Sequence, residues 1–99
     1  MTYQLIVRQA AEQDLEEACA WYEKRQPGLG RQLLQCVEET LVRLQQWPEF
    51  GLTVYKQLRR ANVRRFPYGV FYQVVHDRII VVGVLHGRRA PRRWKSRLE

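Results

Sequence analysis

The chain has 99 residues, of which 45% are hydrophobic and 27% are charged, and its formal net charge is +7. This composition is ordinary for a folded domain and excludes a disordered chain, so we expect one domain over residues 1–99. The apolar run at residues 3–7 is too short for a signal peptide or a membrane span. Cys19 and Cys36 have neither zinc-ligand spacing nor the density of a disulfide scaffold. We therefore expect a reduced, cytoplasmic protein with no membrane partner.

The positive charge is concentrated in the second half of the chain. Residues 1–50 carry five basic and eight acidic side chains, a balance of −3, whereas residues 51–99 carry twelve basic and two acidic ones, a balance of +10. Such asymmetry gives one surface a positive potential. It indicates an acidic partner, which is nucleic acid, a nucleoprotein assembly or an acidic protein. A solvated basic face without a ligand is the alternative.

The first half of the chain predicts one strand and two helices. Residues 3–7 are rich in β-formers and predict a strand, and Ala10–Arg25 then changes to helical periodicity. Pro27–Gly30 breaks this helix, and a second helix is predicted from Leu29 to Gln46, where Pro48 follows. Because the connection is so short, we expect the two helices to form an antiparallel hairpin.

The second half predicts a sheet. Strands are expected at Asn62–Phe66, Gly69–Val75 and Arg78–Leu85, the last being apolar enough to be central and covered on both faces. Residues 52–60 are left open between a loop and a short strand, and residues 91–97 between one helical turn and an extended tail. The fold class is thus α+β: an N-terminal strand, a helical hairpin on one face, and a three-stranded antiparallel meander completing one small sheet.

Residue patterns that carry catalysis are scarce. The two histidines, His76 and His86, have no acidic cluster in their half of the chain, so we expect no metal site and no cofactor. Neither cysteine has a predicted histidine neighbour. The glycines of Pro27–Gly30 follow a helix rather than a strand, which is typical of a turn and not of a phosphate loop.

Arginine doublets are the stronger signal, at 59–60, 64–65, 88–89 and 92–93. Neighbours on a strand face opposite ways, so either Arg64 or Arg65 should point away from the hairpin. Arginine matches phosphate and carboxylate geometry and stacks on bases. Trp94, beside the last doublet, either stacks on a base or folds back as a hydrophobic pin on the sheet; we prefer the pin. Trp21 and Tyr22 are expected to be core side chains first and partner surface second.

These residues together resemble a known family. Ala11, Asp14-Leu15, Ala18, Trp21-Tyr22-Glu23 and Pro27–Gly30 are similar to the N-terminal half of ParE-like toxins in the RelE/ParE superfamily. The similarity continues through Val63–Tyr68, Tyr72, Ile79–Leu85, His86, Arg89, Pro91 and Trp94, and so covers nearly the whole chain. The order and spacing are specific, although no single motif is diagnostic. The family's small antiparallel sheet with a helical hairpin agrees with the element order above.

The resemblance implies the toxin of a type II toxin–antitoxin system, bound and neutralised by a cognate antitoxin encoded beside it, in a hetero-oligomer. ParE-type toxins are associated with poisoning DNA gyrase and blocking replication, which arrests growth. RelE-type toxins cleave messenger RNA on the ribosome with basic residues of the sheet and its C-terminal end.

One departure from the pattern favours the first activity. RelE-type ribonucleases typically carry an arginine directly after the tyrosine that corresponds to Tyr68, whereas this chain has Gly69, and the tyrosine that several of them have near the end is replaced by Trp94. We therefore expect a non-catalytic gyrase inhibitor whose target-binding residues are Arg64, Arg65, Arg88, Arg89, Arg92, Arg93 and Trp94. The alternative is a ribosome-dependent endoribonuclease with Arg64, Arg65, His86, Arg88 and Arg89 as catalytic residues. A member that only binds its antitoxin is a third possibility.

Overall fold

The computed structural model describes residues 3–87 and 90–98. Its elements, in chain order, are β1 (Gln4–Val7), α1 (Gln9–Arg25), α2 (Leu29–Gln46), a short 3-10 turn (Pro48–Phe50), β2 (Leu52–Tyr55), β3 (Leu58–Asn62), β4 (Tyr68–Val75), β5 (Arg78–His86) and α3 (Ala90–Leu98). Within this part of the chain, no helix has both the length and the apolar character needed to cross a membrane.

The strands form one sheet in the order β1-β5-β4-β3-β2. β1 runs parallel to β5, and every other neighbouring pair is antiparallel. The predicted α+β class and the helical hairpin are confirmed, and both helices begin and end within one residue of their predicted bounds. β5 is an interior strand, with α1 packed on one side of it and α3 on the other.

The sheet has five strands because the open segment at residues 52–60 contributes two of them. β2 and the first part of β3 form a hairpin there. The predicted strand at Asn62–Phe66 is wrong, since β3 ends at Asn62 and a turn follows, closed by a hydrogen bond from Val63 N to Tyr68 O at 2.9 Å. Arg65 has a φ of 73°, which no strand accommodates. Alternating polarity alone cannot reveal this constraint.

The turn between α1 and α2 is held by a side chain of the first helix. Gly28 adopts a φ of 90°, a left-handed conformation that suits glycine, and offers no side chain to cap α2. The Glu23 carboxylate instead accepts hydrogen bonds from Gly28 N at 2.9 Å and Gly30 N at 3.1 Å. It therefore satisfies amides at the N-terminus of α2, where negative charge is favourable.

The sheet has a different core on each face. The hairpin covers one face, and the fully buried side chains of this core include Leu33, Val37, Leu44, Val70, Tyr72, Ile79 and Val81. The other face carries a smaller cluster of Leu58, Phe71, Val82, Leu85 and Trp94. The last of these comes from α3, a nine-residue helix where the sequence left open one helical turn or an extended tail.

Tyr72 joins the hairpin core to the connection between α2 and β2. Its buried phenol donates to Pro48 O at 2.6 Å and accepts from Gly51 N at 2.8 Å. Glycine is needed at position 51, because a Cβ there would lie 2.6 Å from the phenol oxygen. Arg59 donates to Gly51 O at 2.7 Å and holds the same segment from β3.

Candidate functional site

The α3 face of the sheet, meaning the face opposite the hairpin, carries Trp94 as its anchor. The indole stacks over Phe71 with ring centroids 6.4 Å apart, lies 5.1 Å from the Tyr55 ring, and is only 6% exposed. This is the position that the hydrophobic-pin interpretation requires. A ring buried in this way offers no surface on which a base could stack while α3 is docked.

Arg60 lies on the same face, beside the Trp94 cluster. Its side chain crosses two glycines: a Cβ on Gly69 would lie 2.7 Å from its Nε, and one on Gly87 would lie 2.8 Å from its Nη2. The guanidinium carbon is 5.8 Å from the Phe71 ring centroid. The half-buried arginine thus lies flat on the sheet, in space that the two glycines leave open.

No acceptor in the described parts of the chain hydrogen-bonds or ion-pairs with Arg60, and its Nε is buried without a partner. A buried polar group without a hydrogen bond is uncommon, and a partly desolvated cation without an anion is costly. The arrangement can receive a carboxylate or a phosphate. Sequence reasoning missed Arg60, because the direction of its side chain depends on the strand that residues 52–60 did not reveal. Gly69 was the available signal, since a glycine within a strand often marks a close approach.

Arg64 and Arg65 lie in the turn after β3 and not on opposite faces of a strand. Arg64 reaches toward α2, where its Nη2 is 3.1 Å from Glu39 Oε2 in an exposed ion pair. Arg65, the next residue, is also exposed, and its backbone has a left-handed conformation. Both are accessible to a partner, and an exposed pair of this kind adds little to stability.

His86 lines a groove of about 510 Å³ beside α1, together with Trp21, Tyr22 and Arg93. Its ring lies 5.5 Å from Tyr68, edge to face. Trp21 was expected in the core, but it is 48% exposed and carries Arg25 against its ring at 3.6 Å. The helix turns this residue out of the apolar stripe, whereas Tyr22 packs on Phe66 at 5.1 Å as expected.

The structure describes three of the five candidate catalytic residues, namely Arg64, Arg65 and His86. Arg64 sits against α2, and His86 sits beside α1 on the hairpin face, whereas the half-buried guanidinium of Arg60 is on the α3 face. Arg92 and Arg93 are exposed on α3, and Arg88 and Arg89 lie outside the described residues. Over residues 3–87 and 90–98, no three His, Cys, Asp or Glu side chains form a metal-binding group.

A buried ion pair fixes α3 against the rest of the molecule. Arg97 donates from Nη1 to Asp14 Oδ2 at 2.6 Å and from Nη2 to Oδ1 at 2.9 Å. The same Asp14 oxygen accepts from Val84 N at 3.1 Å, and Arg97 also donates to Val82 O at 3.0 Å. These bonds occupy the edge of β5 beyond the end of β1. The hydrogen bond with Asp14 raises the pKa of Arg97, which keeps the guanidinium charged.

Comparison with known proteins gives consistent similarities. A family model described as the ParE toxin of the type II toxin–antitoxin system, parDE, matches residues 5–91. Toxin ParE2 of Mycobacterium tuberculosis, from strains CDC 1551 and H37Rv, is 30% identical over 92 residues, which is 92% of this chain and 88% of that protein.

Solved structures share the fold. The chromosomal ParDE system from P. aeruginosa superimposes with a TM-score of 0.76 at 19% identity, covering 86% of this chain and 96% of that chain. A mutant of E. coli toxin RelE in the free state gives 0.72 at 17% identity, covering 99% and 96%. The RelBE2 toxin–antitoxin complex from Mycobacterium tuberculosis gives 0.64 at 19% identity, covering 87% and 92%.

Proposed function

Since this chain belongs to the ParE toxin family of type II toxin–antitoxin systems, we propose that it inhibits DNA gyrase in the bacterial cytoplasm by binding and not by catalysis. The binding surface consists of the basic residues of the β3–β4 turn and of α3, namely Arg64, Arg65, Arg92 and Arg93, together with Arg88 and Arg89 from the segment between β5 and α3. A cognate antitoxin neutralises the toxin by covering this positive charge.

Gly69, which stands where RelE-type ribonucleases typically have an arginine, is the observation that carries this proposal. Cleaving RNA requires a proton-transfer group and a cation that stabilises the phosphate at one phosphodiester. His86 lies beside α1 on the hairpin face, and Arg60 lies over Gly69 and Phe71 on the α3 face. A surface of separate arginines is better suited to holding a protein target than to acid–base chemistry.

A supercoiling assay tests the proposal directly. Purified toxin should inhibit supercoiling by gyrase, and a His86→Ala variant should inhibit it equally, because the histidine has no chemical role in this mechanism. Substituting Arg92 and Arg93 together by Gln should weaken inhibition, with Arg78→Gln as a control on an exposed arginine of β5 outside the proposed surface. Normal supercoiling at a large toxin excess would overturn the proposal.

One observation favours the ribonuclease as a second candidate. Gly69 stands where RelE-type ribonucleases typically have an arginine, but the space above it is filled by Arg60, so a guanidinium is present near that position. New 5′ ends within codons after brief expression of the toxin, lost on Arg60→Gln, would favour this activity over gyrase inhibition.

A further inference from the structure

The Arg60 side chain lies flat on the sheet, in space that two glycines leave open. Neither Gly69 nor Gly87 has a left-handed φ, so the backbone does not require glycine at these positions. What requires it is space, because a Cβ at either position would approach within 2.8 Å of the guanidinium group or its Nε. β4 and the residue that follows β5 thus carry no side chain where the arginine crosses them, and no anion in the described parts of the chain pairs with the arginine.

Four described neighbours of Arg60 are apolar. Leu52 is its partner across the β2–β3 pair, on the same face of the sheet, and this leucine is 77% exposed on an edge strand. Phe71 lies beneath the guanidinium, and Gly69 and Gly87 lie along its length. These four residues carry no charge. Arginine and aromatic side chains are enriched at protein interfaces, where other charged residues are depleted.

We propose that the Arg60 seat, formed by Arg60, Leu52, Gly69, Phe71 and Gly87, binds a carboxylate side chain of the cognate antitoxin, with an apolar neighbour of that acid resting on Leu52. The inference depends on the toxin–antitoxin part of the function proposed above, and it holds whether the cellular target is gyrase or messenger RNA. A carboxylate accepts paired hydrogen bonds from a guanidinium, and partial burial strengthens them. The antitoxin would thereby supply an anion that the described residues of the toxin do not provide.

Binding of the full-length antitoxin encoded beside the toxin gene, measured by calorimetry, tests the seat. Arg60→Gln should weaken the complex by about 10- to 100-fold, as expected for removing one member of a desolvated charge pair. Arg78→Gln is the matched control, since it removes the same charge from an exposed position at the other end of β5. It should change the affinity by less than about twofold at physiological salt.

Gly69→Ala separates geometry from charge. The added methyl group displaces the guanidinium and keeps every charge, so the affinity should fall, and the double variant with Arg60→Gln should bind no more weakly than Arg60→Gln alone. Circular dichroism melting establishes that each variant is folded. If Gly69→Ala fails to fold, Gly87→Ala makes the same test from the other side of the guanidinium.

Two outcomes would overturn the inference. One is an antitoxin affinity that is equal for Arg60→Gln and Arg78→Gln. The other is a loss of affinity of Arg60→Gln for a single-stranded RNA oligonucleotide with antitoxin binding unchanged, which would assign the seat to phosphate. If the wild-type toxin failed to inhibit gyrase, the proposed target would be wrong. The antitoxin affinities would not be affected by that result, so the inference about the Arg60 seat would still stand or fall on them alone.

Discussion

The two faces of the sheet differ in how they are closed. On the hairpin face, two long helices bury a continuous set of leucines, valines and Tyr72, and the phenol also fixes the chain between α2 and β2. On the α3 face, one nine-residue helix is held by Trp94 and the Arg97–Asp14 pair, and beside it lies Arg60, whose buried Nε has no hydrogen-bond partner among the described residues. The hairpin face supplies most of the stability. The α3 face is covered by one short helix and carries the charge of Arg60, so partner binding is expected there.

Deleting a side chain from the hairpin face should give the largest effect. Leu33 is fully buried in α2, so Leu33→Ala should lower the free energy of unfolding by about 3 kcal/mol through lost burial and the cavity left behind. Leu34→Ala removes the same atoms from an exposed neighbour on the same helix and should cost less than about 1 kcal/mol. Urea denaturation measures both, and equal costs would mean that the hairpin face is not the main core.

Breaking the Arg97–Asp14 pair should loosen the α3 face while the hairpin face stays folded. Arg97→Gln leaves the buried Asp14 carboxylate without its cation and should cost about 2 kcal/mol, less than for a fully buried pair because Arg97 is partly solvated. Amide hydrogen exchange should accelerate in α3 and not in α2. Arg92→Gln, exposed on the same helix, is the control, and uniform acceleration in both helices would contradict the distinction between the faces.

Removing the Tyr72 hydroxyl should cause a smaller loss of stability, and its contribution depends on pH. Tyr72→Phe removes two hydrogen bonds and leaves Gly51 N without its acceptor, at a cost of about 1–2 kcal/mol. Burial raises the pKa of Tyr72 above its ordinary value of about 10. The folded state therefore holds the phenol proton more tightly than the unfolded state does. The resulting contribution to the free energy of unfolding is present below about pH 10 and is lost as the pH rises through the pKa of the folded state. Above pH 10, the free energy of unfolding of the wild type should therefore fall more steeply with pH than that of Tyr72→Phe.

Charge reversal of Arg64 and Arg65 should leave stability nearly unchanged. The exposed Arg64–Glu39 pair contributes less than about 0.5 kcal/mol. Antitoxin binding to the double Glu variant should nevertheless weaken, chiefly at low salt, because these charges act through solvent. Indifference of the affinity to both salt and substitution would show that this turn takes no part in the complex.

The helical hairpin could be predicted from sequence because its signals are local. The leucine spacing of α2 and the break at Pro27–Gly30 lie within single elements, and each helix bound fell within one residue. The strand proposed at Asn62–Phe66 failed because the left-handed conformation of Arg65 depends on how β3 must return to β4.

The contacts that define the candidate site are not local. Arg60 meets Gly69 and Gly87 only through the register of β3, β4 and β5, and Arg97 meets Asp14 across most of the chain. Trp94 could be assigned as a pin from its chemistry, but the ring it covers, Phe71, depends on the same register. Composition located the positive charge in the second half, and only the fold distinguishes half-buried arginines such as Arg60 from the exposed ones.

The Arg97–Asp14 contact also has a consequence for the order in which the molecule is assembled during synthesis. The two residues are 83 positions apart, so the carboxylate of α1 is made long before its cation leaves the ribosome. Residues 3–86 contain all five strands and both hairpin helices, and can close the hairpin face first. We expect α3 to dock last when the chain folds, because all of its contacts are with elements earlier in the chain, so that the α3 face reaches its final form after the hairpin face.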